Sequence, residues 1–136
     1  MDINLYDKNG IVFAYISDDY NETIHLWNGR PVAYLHEDQH VYGMNGKHLG
    51  WFIDSIIYNN DGERIGFTYE SSPITVTKAP GKPEKYPMDE IRTRWASPPL
   101  PKLTFGTSEQ PLEEFLEQGQ IPLFQHEVTT DESEEE

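Results

Sequence analysis

Four Asn-Gly or Asp-Gly pairs recur in the first half of this chain and restrict it to a small set of folds. They are Asn9-Gly10, Asn28-Gly29, Asn45-Gly46 and Asp61-Gly62, and successive glycines are 19, 17 and 16 residues apart. Such pairs readily adopt the positive φ angles that two-residue hairpin turns require. Each pair therefore predicts a β-hairpin with a two-residue turn.

The segments around these pairs also agree with one another, position by position. An aliphatic residue lies five positions before each glycine, a small residue four positions after it, and an aromatic residue five positions after it. The aliphatic residues are Leu5, Ile24, Val41 and Ile57, the small ones are Ala14, Ala33, Gly50 and Gly66, and the aromatic ones are Tyr15, Tyr34, Trp51 and Phe67. A two-residue turn would pair each aliphatic residue with the small residue of its copy, and Tyr6 with Phe13 on the other face. We expect the aliphatic–small faces to line the centre of the fold and the aromatic residues to lie between hairpins or outside.

Both faces of each hairpin are mostly apolar, so each hairpin needs neighbours on two sides. A lone hairpin is only marginally stable in water, whereas four copies can cover one another. The repeat therefore predicts an all-β fold of four hairpins around a pseudo-four-fold axis, closed like a barrel or a propeller. A linear solenoid is the alternative, but the sequence contains no evident capping units.

The segment from Leu5 to Glu70 resembles the bacterial 4-fold beta flower family. The resemblance rests on the Asn-Gly and Asp-Gly turns and on the block Gly50–Tyr58, and it covers about the first half of the chain. It implies a small all-β domain of four hairpins about a pseudo-symmetry axis. It implies no established activity and no catalytic residues.

The second half of the chain has a different composition. Residues 77–102 contain six basic and three acidic residues, whereas residues 103–136 contain ten acidic residues and no basic one. We expect four parts: a four-hairpin β domain at 1–76, a proline-rich basic linker at 77–102, an arm at 103–128 and a disordered acidic tail at 129–136. Ile74–Thr77 is a candidate for a last edge strand, and Met88–Trp95 is a candidate for a helical turn or two.

A short helix is predicted near residues 111–118 of the arm. Leu112, Phe115 and Leu116 would share one face at i, i+3 and i+4 spacing. We expect Ser108 or Thr107 to cap its N-terminus and Gly119 to end it.

Charge and composition exclude several function classes. The formal net charge of −14 repels phosphate backbones, which excludes nucleic-acid binding by a general basic surface. The absence of cysteine excludes disulfides, thiolate catalysis and cysteine-ligated zinc. The sequence contains neither a secretory signal nor an apolar run of about 18 residues. We therefore expect a cytoplasmic protein that does not span a membrane.

One segment, His36-Glu37-Asp38-Gln39-His40, has the H-E-x-x-H pattern of zinc proteases. Those enzymes place both histidines on one helical face, but here the segment lies between two predicted hairpins. In an extended segment His36 and His40 would be about 13 Å apart, and only a tight turn would bring them together. The pattern also lacks a third ligand. We interpret the segment as a polar loop and expect no metal, no cofactor and no catalytic residue, although His36 and His40 are candidates for a metal site.

Binding residues are expected where the repeat is broken, because an aromatic residue present in every copy is more typical of packing. The breaks are His25, Trp27, Arg30 and Met44, and Trp51 of the aromatic column is a fifth candidate. The expected function is a non-enzymatic binding or scaffold module that acts through protein–protein contacts of the β domain and the arm. Its partner would be another protein or a second copy, in a homodimer formed by arm exchange, and the contacting residues on the arm would be Trp95, Leu112, Phe115 and Leu116. The alternatives are a small-molecule sensor that uses the aromatic faces and a zinc hydrolase that uses His36, Glu37 and His40.

Overall fold

The repeat region forms a closed antiparallel barrel of eight short strands. The structure is a computed structural model that describes residues 1–87 and 90–121. Each strand pairs with its neighbours in chain order, and the pair Tyr6–Phe67 between β1 and β8 closes the barrel. The strands are β1 (Ile3–Tyr6), β2 (Val12–Ile16), β3 (Thr23–Leu26), β4 (Pro31–His36), β5 (His40–Gly43), β6 (His48–Ile53), β7 (Ile56–Asn59) and β8 (Arg64–Phe67). The all-β prediction is confirmed.

The predicted two-residue turns are wrong. In the first hairpin Gly10 donates its N–H to the carbonyl of Asp7 (3.0 Å), and Asp7 donates its N–H to the carbonyl of Ile11 (2.9 Å). Among the residues of this turn only Gly10 has a positive φ angle, 78°. A single left-handed glycine at the end of a turn is typical of a hairpin with a bulge, which adds a residue to one strand. The other three tips repeat both bonds, made by Gly29 and Leu26, Gly46 and Gly43, and Gly62 and Asn59.

The bulge changes half of the predicted cross-strand pairs. Tyr6 pairs with Val12 instead of Phe13, and the three other hairpins show the same shift. The pairs one step farther from the tip are as predicted: Leu5–Ala14, Ile24–Ala33, Val41–Gly50 and Ile57–Gly66. The residues freed from the predicted pairs, Val32, Leu49 and Ile65, join the interior cluster.

The interior of the barrel is filled by the aliphatic–small faces together with one helix from the C-terminal half. This helix, α1 (Leu112–Glu117), buries Leu112, Phe115 and Leu116 among the aliphatic residues of the strands. The prediction of a helix with these three residues on one face is confirmed. The predicted cap is wrong, because Pro111 occupies the N-cap position and Ser108 accepts a hydrogen bond from the Gln110 N–H instead (3.0 Å).

The small residues of the repeat make room for α1. A Cβ atom on Gly66 would lie 3.0 Å from Leu112 Cδ1, and one on Gly50 would overlap the Tyr58 carbonyl oxygen of the neighbouring strand and lie 3.1 Å from Phe115 Cζ. Larger side chains at these positions would push the helix out of the barrel. Gly66 therefore leaves room for α1, and Gly50 leaves room for both α1 and the neighbouring strand.

The chain between β8 and α1 runs around the outside of the barrel. We call residues 74–107 the strap. The expected strand at Ile74–Thr77 and the expected helical turn are both absent from its described part, because its backbone groups bond to the hairpin tips instead. Met88 and Asp89 lie outside the described residues, as do the end of the arm beyond Ile121 and the tail at 129–136. Within the described ranges, no helix is long and apolar enough to cross a membrane.

Candidate functional site: the strap and the aromatic clusters beneath it

The strap contacts the four hairpin tips in order, at intervals of nine residues. At each tip a strap N–H donates to the carbonyl of the turn glycine, at 2.9 or 3.0 Å. The bonds are Thr77 to Gly10, Tyr86 to Gly29, Trp95 to Gly46 and Thr104 to Gly62. This nine-residue period is not evident from the sequence. A backbone N–H can be donated by almost any residue type, so the four bonded positions share no diagnostic side chain.

The turn glycines are needed for this contact as well as for the turn. Gly46 has a φ of 94°, and a Cβ atom there would overlap the carbonyl oxygen of Thr93. The carbonyls of Glu84 and Lys102 lie in the same way against Gly29 and Gly62. A glycine at each tip therefore allows the left-handed conformation and the close passage of the strap.

Aromatic side chains fill the outer gaps between neighbouring hairpins, where the strap covers them. The first aromatic cluster is Tyr15, His25 and Trp27, the second is Tyr34, Tyr42 and Met44, and the third is Trp51, Ile56, Tyr58 and Phe67. Ile91 of the strap packs on the second cluster and Leu103 packs on the third. The predicted position of the aromatic residues, between hairpins and outside, is confirmed.

The first cluster differs from the others because the strap places an ammonium group on it. Lys82 Nζ lies 4.1 Å from the centre of the Tyr15 ring and 5.4 Å from that of Trp27. The same nitrogen is 2.9 Å from a carboxylate oxygen of Asp2, and Lys85 Nζ is 3.5 Å from the other oxygen. Burial alone would raise the pKa of Asp2, but the hydrogen bond and charge of Lys82, with Lys85, outweigh it and lower that pKa.

Two polar atoms of this cluster have unused hydrogen-bonding capacity. The Tyr15 hydroxyl and the Trp27 indole N–H are buried, and neither finds a hydrogen-bond partner among the described residues. Buried donors are nearly always satisfied by protein or water, so two in contacting side chains are unusual. The Tyr15 and Trp27 rings meet edge to face, with centres 5.6 Å apart.

A group of three histidines lies on the outer face of β4, β5 and β6. Glu37 and Asp38 form a tight turn with positive φ angles, which brings the rings of His36 and His40 to 6.0 Å. The extended geometry, with about 13 Å between them, is therefore not adopted. His48, which the H-E-x-x-H pattern does not include, has its Nε2 atom 3.0 Å from His40 Nδ1.

The environment of these histidines favours their neutral forms. Burial, with a smaller contribution from the neighbouring His40, lowers the pKa of His48 to about 4. Burial, with a smaller contribution from His36, also lowers the pKa of His40. In the described part of the chain, no three His, Asp or Glu side chains are placed so that they could hold a metal ion together.

A model of the 4-fold beta flower protein family matches residues 3–116. The chain belongs to this family. The expected family is thus confirmed, and the match extends through the strap into α1, well beyond the half of the chain that carried the resemblance. No curated protein matches the chain, and no solved structure does.

The predicted binding residues of this beta flower protein are distributed over three places. His25 and Trp27 flank Tyr15, and the His25 ring stacks on Tyr15 at 5.2 Å. Met44 is buried in the second cluster beside Ile121, whose carbonyl accepts a hydrogen bond from Arg30 at 3.2 Å. Trp51 lies in the third cluster and donates to Asn60 Oδ1 at 3.1 Å. The structure does not bring the five predicted residues into one pocket.

The predicted contact residues of the arm differ sharply in exposure. Leu112, Phe115 and Leu116 are at most 1% exposed, inside the barrel of their own chain. Trp95 is 60% exposed, and its backbone carbonyl accepts a hydrogen bond from the Tyr42 hydroxyl at 2.8 Å. In this conformation only Trp95 is available to a partner.

Proposed function

We propose that this protein is a non-enzymatic binding module that acts through protein–protein contacts, with the strap as its contact surface. The observation that carries the proposal is the outward position of three strap aromatics. Tyr86, Trp95 and Phe105 are 58%, 60% and 86% exposed. Aromatic side chains are enriched in protein–protein interfaces, and these three point outward at successive hairpin tips.

The backbone beneath these side chains is held in place before any partner arrives. Tyr86 and Trp95 each donate a backbone hydrogen bond to a turn glycine, and Phe105 follows the bond of Thr104 to Gly62. A surface that is already ordered loses little conformational entropy on binding.

Basic groups accompany two of the aromatics and indicate the chemistry of the partner. The Arg64 guanidinium lies 4.6 Å from the Phe105 ring centre, and Lys47 Nζ lies 5.9 Å from that of Trp95. We propose a protein partner whose contact surface combines apolar and acidic side chains, because such a surface complements this pairing.

We further infer that the four hairpins are related by a pseudo-four-fold axis. The inference is supported by the same pair of turn hydrogen bonds at each tip and by the nine-residue spacing of the strap contacts. A cytoplasmic location is proposed with it, as is the absence of a nucleic-acid partner, which the net charge of −14 supports.

Capture of partners from a lysate of the source cells tests the contact surface. We expect wild-type bait to retain a protein partner that the double variant Trp95→Ser/Phe105→Ser loses. The matched control is Tyr20→Ser/Tyr69→Ser, which removes two exposed aromatics that lie off the strap, 99% and 74% exposed. If the strap double variant captures the same proteins as the control, the strap is not the contact surface.

A homodimer formed by arm exchange is a second proposal, in which α1 of one copy would fill the barrel of the other. The burial of Phe115 and Leu116 supports this dimer, because the barrel of a second copy would offer them the same apolar interior. Light scattering at high protein concentration and low salt tests it. A monomeric mass under those conditions would exclude the dimer.

The enzymatic alternative, a zinc hydrolase using His36, Glu37 and His40, has its own direct test. Metal content is measured on the untagged protein beside His36→Ala. Stoichiometric zinc that this variant loses would replace our proposal with the hydrolase, and hydrolysis assays would follow.

A further inference from the structure

We propose that Tyr15, Trp27 and Asp2 form a binding site for an organic ammonium group, which Lys82 of the strap occupies from within the same chain. Aromatic faces beside a carboxylate are how proteins recognise alkylated ammonium groups. The site is separate from Trp95 and Phe105, so it stands or falls independently of the proposed protein contacts.

The contacts of Lys82 are those that an ammonium ligand would make. Its nitrogen lies over the Tyr15 ring at 4.1 Å, within 5.4 Å of the Trp27 ring centre and 2.9 Å from Asp2. Tyr15 is fully buried and the Asp2 side chain is only 20% exposed, so both groups face the ammonium rather than bulk water. The Lys82 side chain itself is 30% exposed, so the cation is partly desolvated, and cation–π attraction is stronger there than at a fully exposed site.

Packing of the strap does not require a charge at this position. Nine residues later, where the strap crosses the next gap between hairpins, the equivalent residue is Ile91, and it packs on the second aromatic cluster. The position after that is Leu100. Of the three residues spaced nine apart, Lys82, Ile91 and Leu100, only Lys82 is charged, and the carboxylate of Asp2 lies beside it.

The unpartnered donors of Tyr15 and Trp27 are a second, independent indication of a ligand. Both atoms belong to the side chains that surround the ammonium, and neither has a partner in the described protein. A ligand that carries an oxygen next to its ammonium group, as choline does, supplies an acceptor for such donors.

Because Lys82 belongs to the same chain, we expect the intact protein to bind a free ammonium ligand only weakly. Lys82 is held nearby by the backbone bonds of Thr77 and Tyr86, so its effective concentration is high and a free cation must displace it. Removal of the Lys82 side chain leaves both backbone bonds in place and frees the nearer position over Tyr15, while Lys85 remains 5.6 Å from the centre of that ring and 3.5 Å from Asp2.

Titration with tetramethylammonium chloride, matched in ionic strength with sodium chloride, tests the proposal. The signal is the NMR resonance of the Trp27 indole, one of three in the chain, identified by its loss in Trp27→Phe. We expect Lys82→Ala to bind about tenfold more tightly than wild type. Adding Asp2→Asn to Lys82→Ala should abolish most of that gain, while Lys78→Ala, which removes an exposed lysine of the same strap, should behave as wild type.

Circular dichroism melting first establishes that each variant is folded. Lys82→Arg is a second variant that keeps a positive charge at this position, so it should bind tetramethylammonium as weakly as wild type does. The proposal is overturned if Lys82→Ala binds no more tightly than wild type, or if Asp2→Asn leaves its affinity unchanged. Choline and a trimethyllysine peptide are then titrated in parallel. Tighter binding of one identifies whether the ammonium belongs to a small molecule or to a protein side chain, and binding of neither overturns the proposal.

Discussion

The C-terminal half covers both faces of the barrel wall, but it covers them by different means. Inside, the six residues of α1 bury Leu112, Phe115 and Leu116 almost completely. Outside, the much longer strap leaves most of its side chains exposed, and it donates a backbone hydrogen bond to the turn glycine of each tip, while Ile91 and Leu103 pack on two of the aromatic clusters. Hydrophobic burial therefore fills the interior, whereas hydrogen bonds at the glycine tips are the repeated contact of the strap.

The largest expected effect concerns the interior. Phe115→Ala should lower the free energy of unfolding by about 3–5 kcal/mol, because it leaves a cavity where the ring is now packed. Urea denaturation measures the change. The matched control is Phe105→Ala on the strap, where the ring is 86% exposed and the expected change is within about 0.5 kcal/mol. If Phe115→Ala and Phe105→Ala lower the free energy of unfolding equally, hydrophobic burial does not distinguish the helix inside the barrel from the strap outside it.

An intermediate effect is expected where the strap meets a tip. Gly46→Ala should cost about 1–2 kcal/mol from the left-handed backbone alone, and its Cβ should displace the strap at Thr93. Hydrogen exchange should then show faster exchange of the Trp95 amide, which donates to Gly46.

Gly81→Ala is the control for this change, because a Cβ atom at Gly81 would meet nothing within 4 Å and the residue has no positive φ. We expect it to leave both stability and the Trp95 amide unchanged. A Trp95 amide equally protected in Gly46→Ala and Gly81→Ala would show that the turn glycine does not hold the strap.

The smallest effect is a dependence on pH that involves only the outer face. Burial lowers the pKa of His48 from its ordinary 6.5 to about 4, so the unfolded chain takes up a proton at a higher pH than the folded one. The stabilisation from this group is therefore complete above pH 6.5 and is lost as the pH falls towards 4. With allowance for the partial exposure of the ring, the loss should be about 1 kcal/mol.

Urea denaturation of wild type and His48→Gln across this pH range measures the loss. The free energy of unfolding should fall less steeply with decreasing pH in His48→Gln than in wild type. If the His48→Gln and wild-type profiles are parallel, the outer histidines do not set the acid sensitivity.

Several features of the fold could be predicted because they depend on local sequence. The turn pairs locate the hairpins, and the alternation of Leu5 and Tyr6 assigns one face to the interior. The spacing of Leu112, Phe115 and Leu116 predicts a buried helical face. The register at the tips could not be predicted, because an Asn-Gly pair fits a two-residue turn and also a wider turn that ends in a left-handed glycine.

The candidate site was harder to predict, because long-range contacts create it. His25 and Trp27 were singled out as breaks in the repeat, but nothing in the sequence links them to Lys82 or Asp2, which reach them from the strap and from the N-terminus. The same holds for His48, which joins His40 across the hairpin of β5 and β6. Contacts between segments far apart in the chain leave no spacing pattern.

Local sequence is enough to predict the elements of this protein, which are four glycine-tipped hairpins with an aliphatic–small face and one short amphipathic helix. Turn chemistry and side-chain periodicity act over a few residues, so they can be read directly. The covering of each face depends on contacts between distant segments: Gly66 leaves room for α1, Gly50 leaves room for α1 and for the Tyr58 carbonyl, and the tip glycines leave room for the strap. These choices depend on the path of the whole chain, since they become favourable only when distant segments meet in the closed barrel.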